Sequence, residues 1–332
     1  MRSAFAVVFG MFVSMLIVMM GMDIYVMCQN VNIEHKADTK FAYMYTYKYP
    51  TEEVPDGGEE AFGKTLKKER LGYNLDVTLL GIHDDNPYFD AKVENGKNKI
   101  VISTAVAQKY NVGEGDVFVL NDEETDTKYA FDIVGIAQYS SSLYIFMDID
   151  SMRELFNDSS DYYNIVFSDK ALSIPAGRLY ATTTKEDVEE ASGIFIKMML
   201  PMIYMLLGCS VIIFCVVMYL MMKVMIDRSS FNISLIKIFG YRTKEIGKLY
   251  LRGNFYLVAA GALICIPLAK ACMDAIYPML VANVCSGMNL TFSWQLYAGI
   301  YAAVILLYLF INQLLVGRLK KMVPAEVLKN RE

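Results

Sequence analysis

Four long apolar segments alternate with polar stretches along the chain. They lie at residues 4–27, 194–222, 253–280 and 294–316, and each carries at most two charged residues. A helix needs about 20 residues, at roughly 1.5 Å per residue, to cross a hydrocarbon core of about 30 Å. The pattern therefore predicts four transmembrane helices. The first segment is interpreted as a retained helix rather than a signal peptide, because its apolar run exceeds the roughly 7–15 residues of a signal sequence.

Lys and Arg are concentrated in two of the polar stretches. Residues 223–252 hold seven of them and residues 317–332 hold five, whereas residues 281–293 hold none. Short cytoplasmic loops carry an excess of Lys and Arg. We therefore expect a multi-pass membrane protein, with both termini and the 223–252 connection in the cytoplasm and residues 28–192 outside.

The outer segment, residues 28–192, shows the short alternating patterns of a folded domain. It has 16 Lys and Arg against 30 Asp and Glu, so its surface is acidic. Strands are predicted at 41–49, 76–82, 99–102, 117–120, 128–137, 143–147, 162–168 and 178–182. The strands at 117–120 and 128–137 are expected to form a hairpin. Helices are predicted from a cap at Ser103 and over 150–156, with Asp150 or Ser151 as its cap, and an exposed loop is predicted at 51–63. The fold class is an α-helical membrane protein whose α+β extracytoplasmic domain is inserted between the first and second transmembrane helices.

These elements give a six-part organisation. The parts are a first transmembrane helix (1–27), the outer domain (28–192), a second transmembrane helix with a stalk (193–223), a cytoplasmic connection (224–252), the third and fourth transmembrane helices (253–316) and a cytoplasmic tail (317–332). The helical pattern of the second span begins near Lys185, before the apolar segment does. This extra length predicts a stalk that projects from the membrane.

The cytoplasmic connection is longer than a turn between two helices requires. Helix–helix connections usually need about 2–8 residues. Here Phe231, Leu235 and Ile238 recur at helical spacing, and Gly240 is a natural helix stop. The pattern predicts a short amphipathic helix with a function of its own. The plain alternative is a helix that lies on the membrane surface with its basic side on lipid phosphates.

No enzyme signature is present in the sequence. Phosphate-binding GxxxxGK[ST], GxSxG and HExxH motifs are all missing, and the two histidines, His35 and His83, have no metal-ligand spacing. Charged residues inside spans are candidates for function. Lys270 and Asp274 are four residues apart and predict an ion pair, whereas Asp23 is expected to reach the lipid head groups.

Three segments resemble FtsX-like permeases of the MacB/LolC type, which are membrane subunits of ABC transporters. Arg228–Tyr241 (RSSFNISLIKIFGY) is similar to the motif of the family's cytoplasmic helix, and Pro324–Lys329 (PAEVLK) is similar to its C-terminal ending. Residues 99–137 are similar to its outer-domain core. The family's acidic residue at the fourth motif position is Asn232 here. Family members usually begin with an amphipathic cytoplasmic helix before the first span, whereas only three residues precede the span here. We therefore expect a single unit or the C-terminal half of a longer permease, in the bacterial cytoplasmic membrane as the resemblance implies.

The resemblance implies that the short cytoplasmic helix couples the chain to a separate ATPase. No cofactor is expected in this chain, and ATP would bind to the partner subunit. A second permease protomer, either a homodimer copy or a partner half, and the lipid bilayer are the other expected partners, and no nucleic acid is expected. The coupling residues implied are Arg228, Phe231, Asn232, Leu235, Lys237, Ile238, Phe239, Gly240 and Arg242.

Small residues in the first span suggest where a dimer would form. Gly10, Ser14 and Gly21 would let two helices approach closely. The sequence thus predicts a dimer interface on this side of the first span.

Three functions fit the same pattern. The expected one is movement or extraction of an amphipathic substrate such as a peptide, lipid or lipoprotein. The alternatives are a non-transporting transmitter that controls an extracellular enzyme or senses antimicrobial peptides, and a half-permease that needs a partner chain.

Overall fold

The computed structural model describes residues 2–49, 53–228, 235–236, 238–240, 243–285 and 287–321. The chain divides into two compact units. The membrane unit comprises Met1–Tyr25, Leu200–Tyr277 and Thr291–Glu332, and the barrel unit comprises Val26–Met199 and Pro278–Leu290.

Among the described residues, four of the helices are long and two are short. In chain order they are α1 (Arg2–Asp38), α2 (Thr104–Tyr110), α3 (Ile149–Phe156), α4 (Lys185–Arg228), α5 (Thr243–Leu280) and α6 (Trp294–Lys321). The four long helices contain segments that are long and apolar enough to cross a membrane: Phe9–Asp38, Lys185–Val224, Val258–Leu280 and Trp294–Leu314. By length and composition, the prediction of four spanning helices is confirmed.

The first long helix continues past the predicted boundary at residue 27 and ends at Asp38. The sequence turns polar after Met27, but residues such as Glu34 and Lys36 favour helix nearly as well as apolar ones do. α4 starts at Lys185, where the helical pattern begins. Its start is capped reciprocally, because Asp187 accepts a hydrogen bond from the Thr184 backbone amide (2.8 Å) and the Thr184 hydroxyl accepts one from the Asp187 amide (3.1 Å).

The strands of the barrel unit are short except for three. Among the described residues they are β1 (Tyr43–Tyr47), β2 (Glu59–Arg70), β3 (Tyr73–Ile82), β4 (Lys99–Ser103), β5 (Val117–Asp122), β6 (Thr127–Ala137), β7 (Tyr144–Asp148), β8 (Ile165–Ser168) and β9 (Leu179–Thr184). A 3-10 turn, Ala176–Arg178, precedes β9.

Six of these strands close into a ring in the order β3-β7-β4-β6-β5-β2, and β2 pairs again with β3. The long pairing of β2 with β3 is antiparallel, from Phe62 opposite Gly81 to Arg70 opposite Tyr73. Lys67 opposite Asn121 joins β2 to β5 and completes the ring. The first residues of β2 also pair with β8, which continues through β1 to β9 as a second, antiparallel sheet.

The core of the barrel is apolar and fully buried. Leu66, Leu79, Ile102 and Ile145 point inward from four different strands and lie in one cluster. α2 packs into the same cluster with Ala105 and Val106. Burial of such side chains stabilises the fold by about 1.5–3 kcal/mol each, in a domain that has no disulfide to stabilise it.

Local signals predicted most of these elements correctly. Ser103 caps α2, with its hydroxyl accepting from the Val106 amide at 3.3 Å. The hairpin of β5 and β6 is also confirmed. The cap of α3 is Asp148 instead of Asp150 or Ser151, and its carboxylate accepts from the Ser151 amide at 2.9 Å.

One region was predicted wrongly. The loop predicted at 51–63 gives way at Glu59 to the first residues of β2, the longest strand in the described part of the chain. Charged residues dominate this strand, and Phe62 and Leu66 are its fully buried large side chains. Its outward positions face solvent, so hydrophobicity alone does not mark it as a strand.

Candidate functional site

The connection between α4 and α5 presents apolar side chains to solvent. Leu235, Ile238 and Phe239 are 41%, 58% and 72% exposed. Residues 235, 236 and 238 are helical, and the Phe239 amide donates to the Leu235 carbonyl at 3.2 Å. Gly240 has φ +88°, a left-handed conformation that ends a helix and that glycine adopts without strain. We call Leu235, Ile238 and Phe239 the apolar patch.

The other predicted coupling residues surround the apolar patch in sequence. Arg228 is the last residue of α4. Phe231, Asn232, Lys237 and Arg242 lie outside the described residues. The coupling role of the whole set stays a prediction, and the structure adds that its three described apolar members are exposed.

The small residues of α1 pack inside the membrane unit. A Cβ atom at Gly10 would overlap Cγ1 of Val217 on α4, and one at Gly21 would lie 3.4 Å from Cβ of Leu206. Ser14 is fully buried and donates to the Met11 carbonyl at 2.8 Å. Their small size therefore lets α1 approach α4 of the same chain, and a dimer interface through these residues stays a prediction.

A buried ion cluster joins α1 to α5. Asp23 is 0% exposed, and its carboxylate lies 2.9 Å from Nζ of Lys270, which is itself 6% exposed. Lys270 also pairs with Asp274 one turn further along α5. The ring of Phe292 lies 4.3 Å from the same ammonium. The expected pair of Lys270 and Asp274 is confirmed, but Asp23 is buried against Lys270 instead of reaching the head groups.

An apolar groove runs between α1, α4 and α6 of the membrane unit. Its volume is about 380 Å³. The lining is almost wholly aliphatic, aromatic and thioether, with Ser210 and Gln295 as its polar members. Side chains from all three helices contribute: Met15 and Met22, Leu207 and Phe214, Ile300 and Val304. The groove is suited to an apolar chain, not to an ion.

Among the residues that the structure describes, no three His, Cys, Asp or Glu side chains lie close enough together to bind a metal ion. His83 instead contacts Glu60 at 3.1 Å, and Glu60 also pairs with Arg153 at 3.0 Å. This cluster ties β2 to α3 and is structural.

The first comparison is with models of protein families. Residues 204–324 match the model of the FtsX-like permease C-terminal domain. Over these residues the chain is similar to FtsX-like permeases. The match covers the last part of α4, the apolar patch, α5 and α6. It contains Arg228–Tyr241, one of the three segments on which the resemblance rested. The recognition made from the sequence is therefore confirmed for this part of the chain.

Two other comparisons add no further argument. No curated protein matches the chain. Among solved structures, the chain is similar to the extracellular domain of the noncanonic ABC-type transporter YknZ from Gram-positive bacteria. The identity is 14% and the TM-score 0.28, with 40% of this chain and 84% of that domain covered. The similarity to FtsX-like permeases thus rests on the family model alone.

Proposed function

We propose that the chain is the membrane permease subunit of an ABC transporter of the FtsX type, which moves or extracts an amphipathic substrate. A separate cytoplasmic ATPase would drive it. The observation that carries the proposal is the apolar patch, which lies inside the segment similar to FtsX-like permeases and on the most basic connection of the chain.

The apolar patch fits a protein groove better than it fits solvent. Three large apolar side chains within five residues stay exposed, at a cost of about 25 cal/mol for each Å² of apolar surface left in water. An amphipathic helix laid into a hydrophobic groove recovers that cost. With Asn232 in place of the family's acid, binding would depend more on these apolar contacts than on charge.

The long helices supply the mechanical connection. α4 has 44 residues, so at 1.5 Å per residue it is about 66 Å long, roughly twice the thickness of a hydrocarbon core. In the barrel unit, its first turns pair with the last turns of α1, because His35 Nδ1 lies 2.7 Å from the Ser192 hydroxyl and Lys36 lies 3.9 Å from Glu189. A push at the apolar patch would travel along this pair of helices.

The membrane unit supports the same mechanism in two ways. The ion cluster of Asp23, Lys270 and Asp274 ties α1 to α5, so the two helices would move together. The apolar groove would accept the apolar part of an amphipathic substrate. In the proposed orientation the apolar patch and both termini are cytoplasmic, and the barrel unit lies outside.

Co-purification in mild detergent tests the proposal. The tagged chain should bring down an ABC ATPase. Leu235→Glu with Phe239→Glu should abolish this, because two charges would have to be buried in the hydrophobic groove of the ATPase. The matched control is Val117→Glu with Tyr180→Glu, which charges two side chains that are 59% and 77% exposed in the barrel unit. This control should retain the ATPase.

Either contrary result would overturn the coupling role of the apolar patch, and absence of an ATPase from the wild-type chain would overturn the permease assignment as well. If the wild-type chain brings down no ATPase, or if the double variant of the apolar patch retains it, the 235–240 segment is an interfacial element only. The non-transporting transmitter would then become the leading function.

A further inference from the structure

The loop that follows α5 is bound to α2 by a buried lysine. Lys109 is 0% exposed, and its ammonium donates to the carbonyls of Val281 (2.7 Å) and Val284 (2.6 Å). Both carbonyls lie just beyond the last residue of α5, Leu280. We call residues 281–285 and 287–290 the latch loop, and all of them belong to the barrel unit.

Neutral hydrogen bonds extend this contact along the latch loop. The Gln108 side chain accepts from the Met288 amide at 2.8 Å, and the Ser140 carbonyl accepts from the Gly287 amide at 3.1 Å. A Cβ atom at Gly287 would lie 3.1 Å from Cβ of Ser140, which leaves little room for a side chain at this position. The latch loop is therefore held along its length and not at one point.

The end of α1 joins the same network. Asn30 donates to the Asn289 carbonyl at 2.8 Å, and the Asn289 amide group donates to Glu34 at 2.9 Å. Asp38 accepts from the Ser140 amide (2.7 Å) and hydroxyl (2.9 Å). α1, α2 and the latch loop thus meet at one junction within the barrel unit.

Burying the Lys109 charge is unfavourable unless it is paired. Burial, assisted by the nearby Arg70 charge, lowers the pKa of Lys109 to about 8, and Cys285 opposes this. A lysine placed only to cover a helix would keep its ammonium in water. Here the whole side chain is turned inward onto two carbonyls that lie beyond the end of α5.

We propose that the latch loop is a mechanical connection that carries displacement of α5 and α6 to α2 of the barrel, with Lys109 as its positioning residue. The inference rests on the proposed function and adds a route to it. The proposed route through α1 and α4 enters the first segment of the barrel unit at its ends, Val26 and Met199. The latch loop instead contacts α2, which lies between these ends in sequence.

Hydrogen exchange on the full chain in lipid nanodiscs tests whether the latch exists. Lys109→Met should speed amide exchange of the latch loop by about tenfold. Lys92→Met removes an exposed lysine of the same unit and should change nothing. A second pair tests the amide contact, since Gln108→Leu loses the acceptor for Met288 and Gln108→Glu retains it. Only the leucine variant should speed exchange at Met288. Unchanged exchange in Lys109→Met would overturn the inference.

The transmission step is tested on the complex with its ATPase. A non-hydrolysable ATP analogue should change exchange at residues 235–240 and in α2 of the wild-type chain. In Lys109→Met the change at 235–240 should persist and the change in α2 should be lost. If the α2 response survives in Lys109→Met, the latch does not transmit and the inference is wrong. If nucleotide changes nothing at 235–240 of the wild-type chain, the proposed function fails and transmission fails with it, whereas the nanodisc result still decides whether the latch exists.

Discussion

The barrel unit and the membrane unit each bury a lysine, but they hold it with different partners. Lys109 of the barrel unit faces two backbone carbonyls, whereas Lys270 of the membrane unit faces two carboxylates and an aromatic ring. Carbonyl dipoles are neutral, so loss of Lys109 leaves two unmet acceptors. Loss of Lys270 leaves a buried carboxylate without its counter-ion. Loss of the buried lysine is therefore expected to cost a different free energy of unfolding in the two units.

Lys270→Met gives the largest effect expected from this comparison. Asp23 is fully buried, and removing its partner should destabilise the membrane unit by about 3–5 kcal/mol. Thermal unfolding of the nanodisc-embedded chain measures the loss. Adding Asp23→Leu to Lys270→Met should recover most of it, because the unpaired charge is then gone. If Lys270→Met alone unfolds like the wild type, Asp23 is neutral or hydrated and the contrast between the two lysines fails.

The sequence predicted one half of this ion cluster and not the other. Lys270 and Asp274 are four residues apart on one helix, and local spacing alone brings them together. Asp23 reaches Lys270 from a different helix, nearly 250 residues away in sequence. Only the packing of α1 against α5 creates that contact, and no period or motif of the chain encodes it.

The same difference between local and distant contacts explains which elements of the barrel unit were predicted from the sequence. The cap at Ser103 and the hairpin of β5 and β6 depend on neighbouring residues, and both were predicted. β2 was missed because its strand character depends on partners on both sides, β3 and β8, that are distant in sequence. The apolar patch was predicted from its helical spacing, but the latch loop was not, because a short uncharged loop carries no signal for the lysine that holds it.

Ser103→Ala tests whether α2 and the latch loop of the barrel unit move together. The substitution removes the cap of the helix that carries Lys109 and should cost about 1 kcal/mol. The cost should appear as faster exchange in both α2 and the latch loop, since the two are bound together by Gln108 and Lys109. Ser103→Thr keeps a capping hydroxyl and is the control. Faster exchange in α2 with an unchanged latch loop would show that the two do not move as one.

Lys40→Met gives the smallest effect and tests whether burial determines how much a paired lysine contributes to stability. Lys40 pairs with Asp90 at 2.6 Å, a shorter distance than that from Lys270 to Asp23 at 2.9 Å, yet the Lys40 side chain is 40% exposed. Water screens an exposed pair and its long side chain loses entropy on pairing, so the substitution should cost less than about 1 kcal/mol. Chemical unfolding of the full chain, read by a probe in the barrel unit and compared with Lys109→Met, measures the difference. If Lys40→Met costs as much as Lys109→Met, then contact distance and not burial governs these lysines, and the energetic contrast drawn between the two units loses its basis.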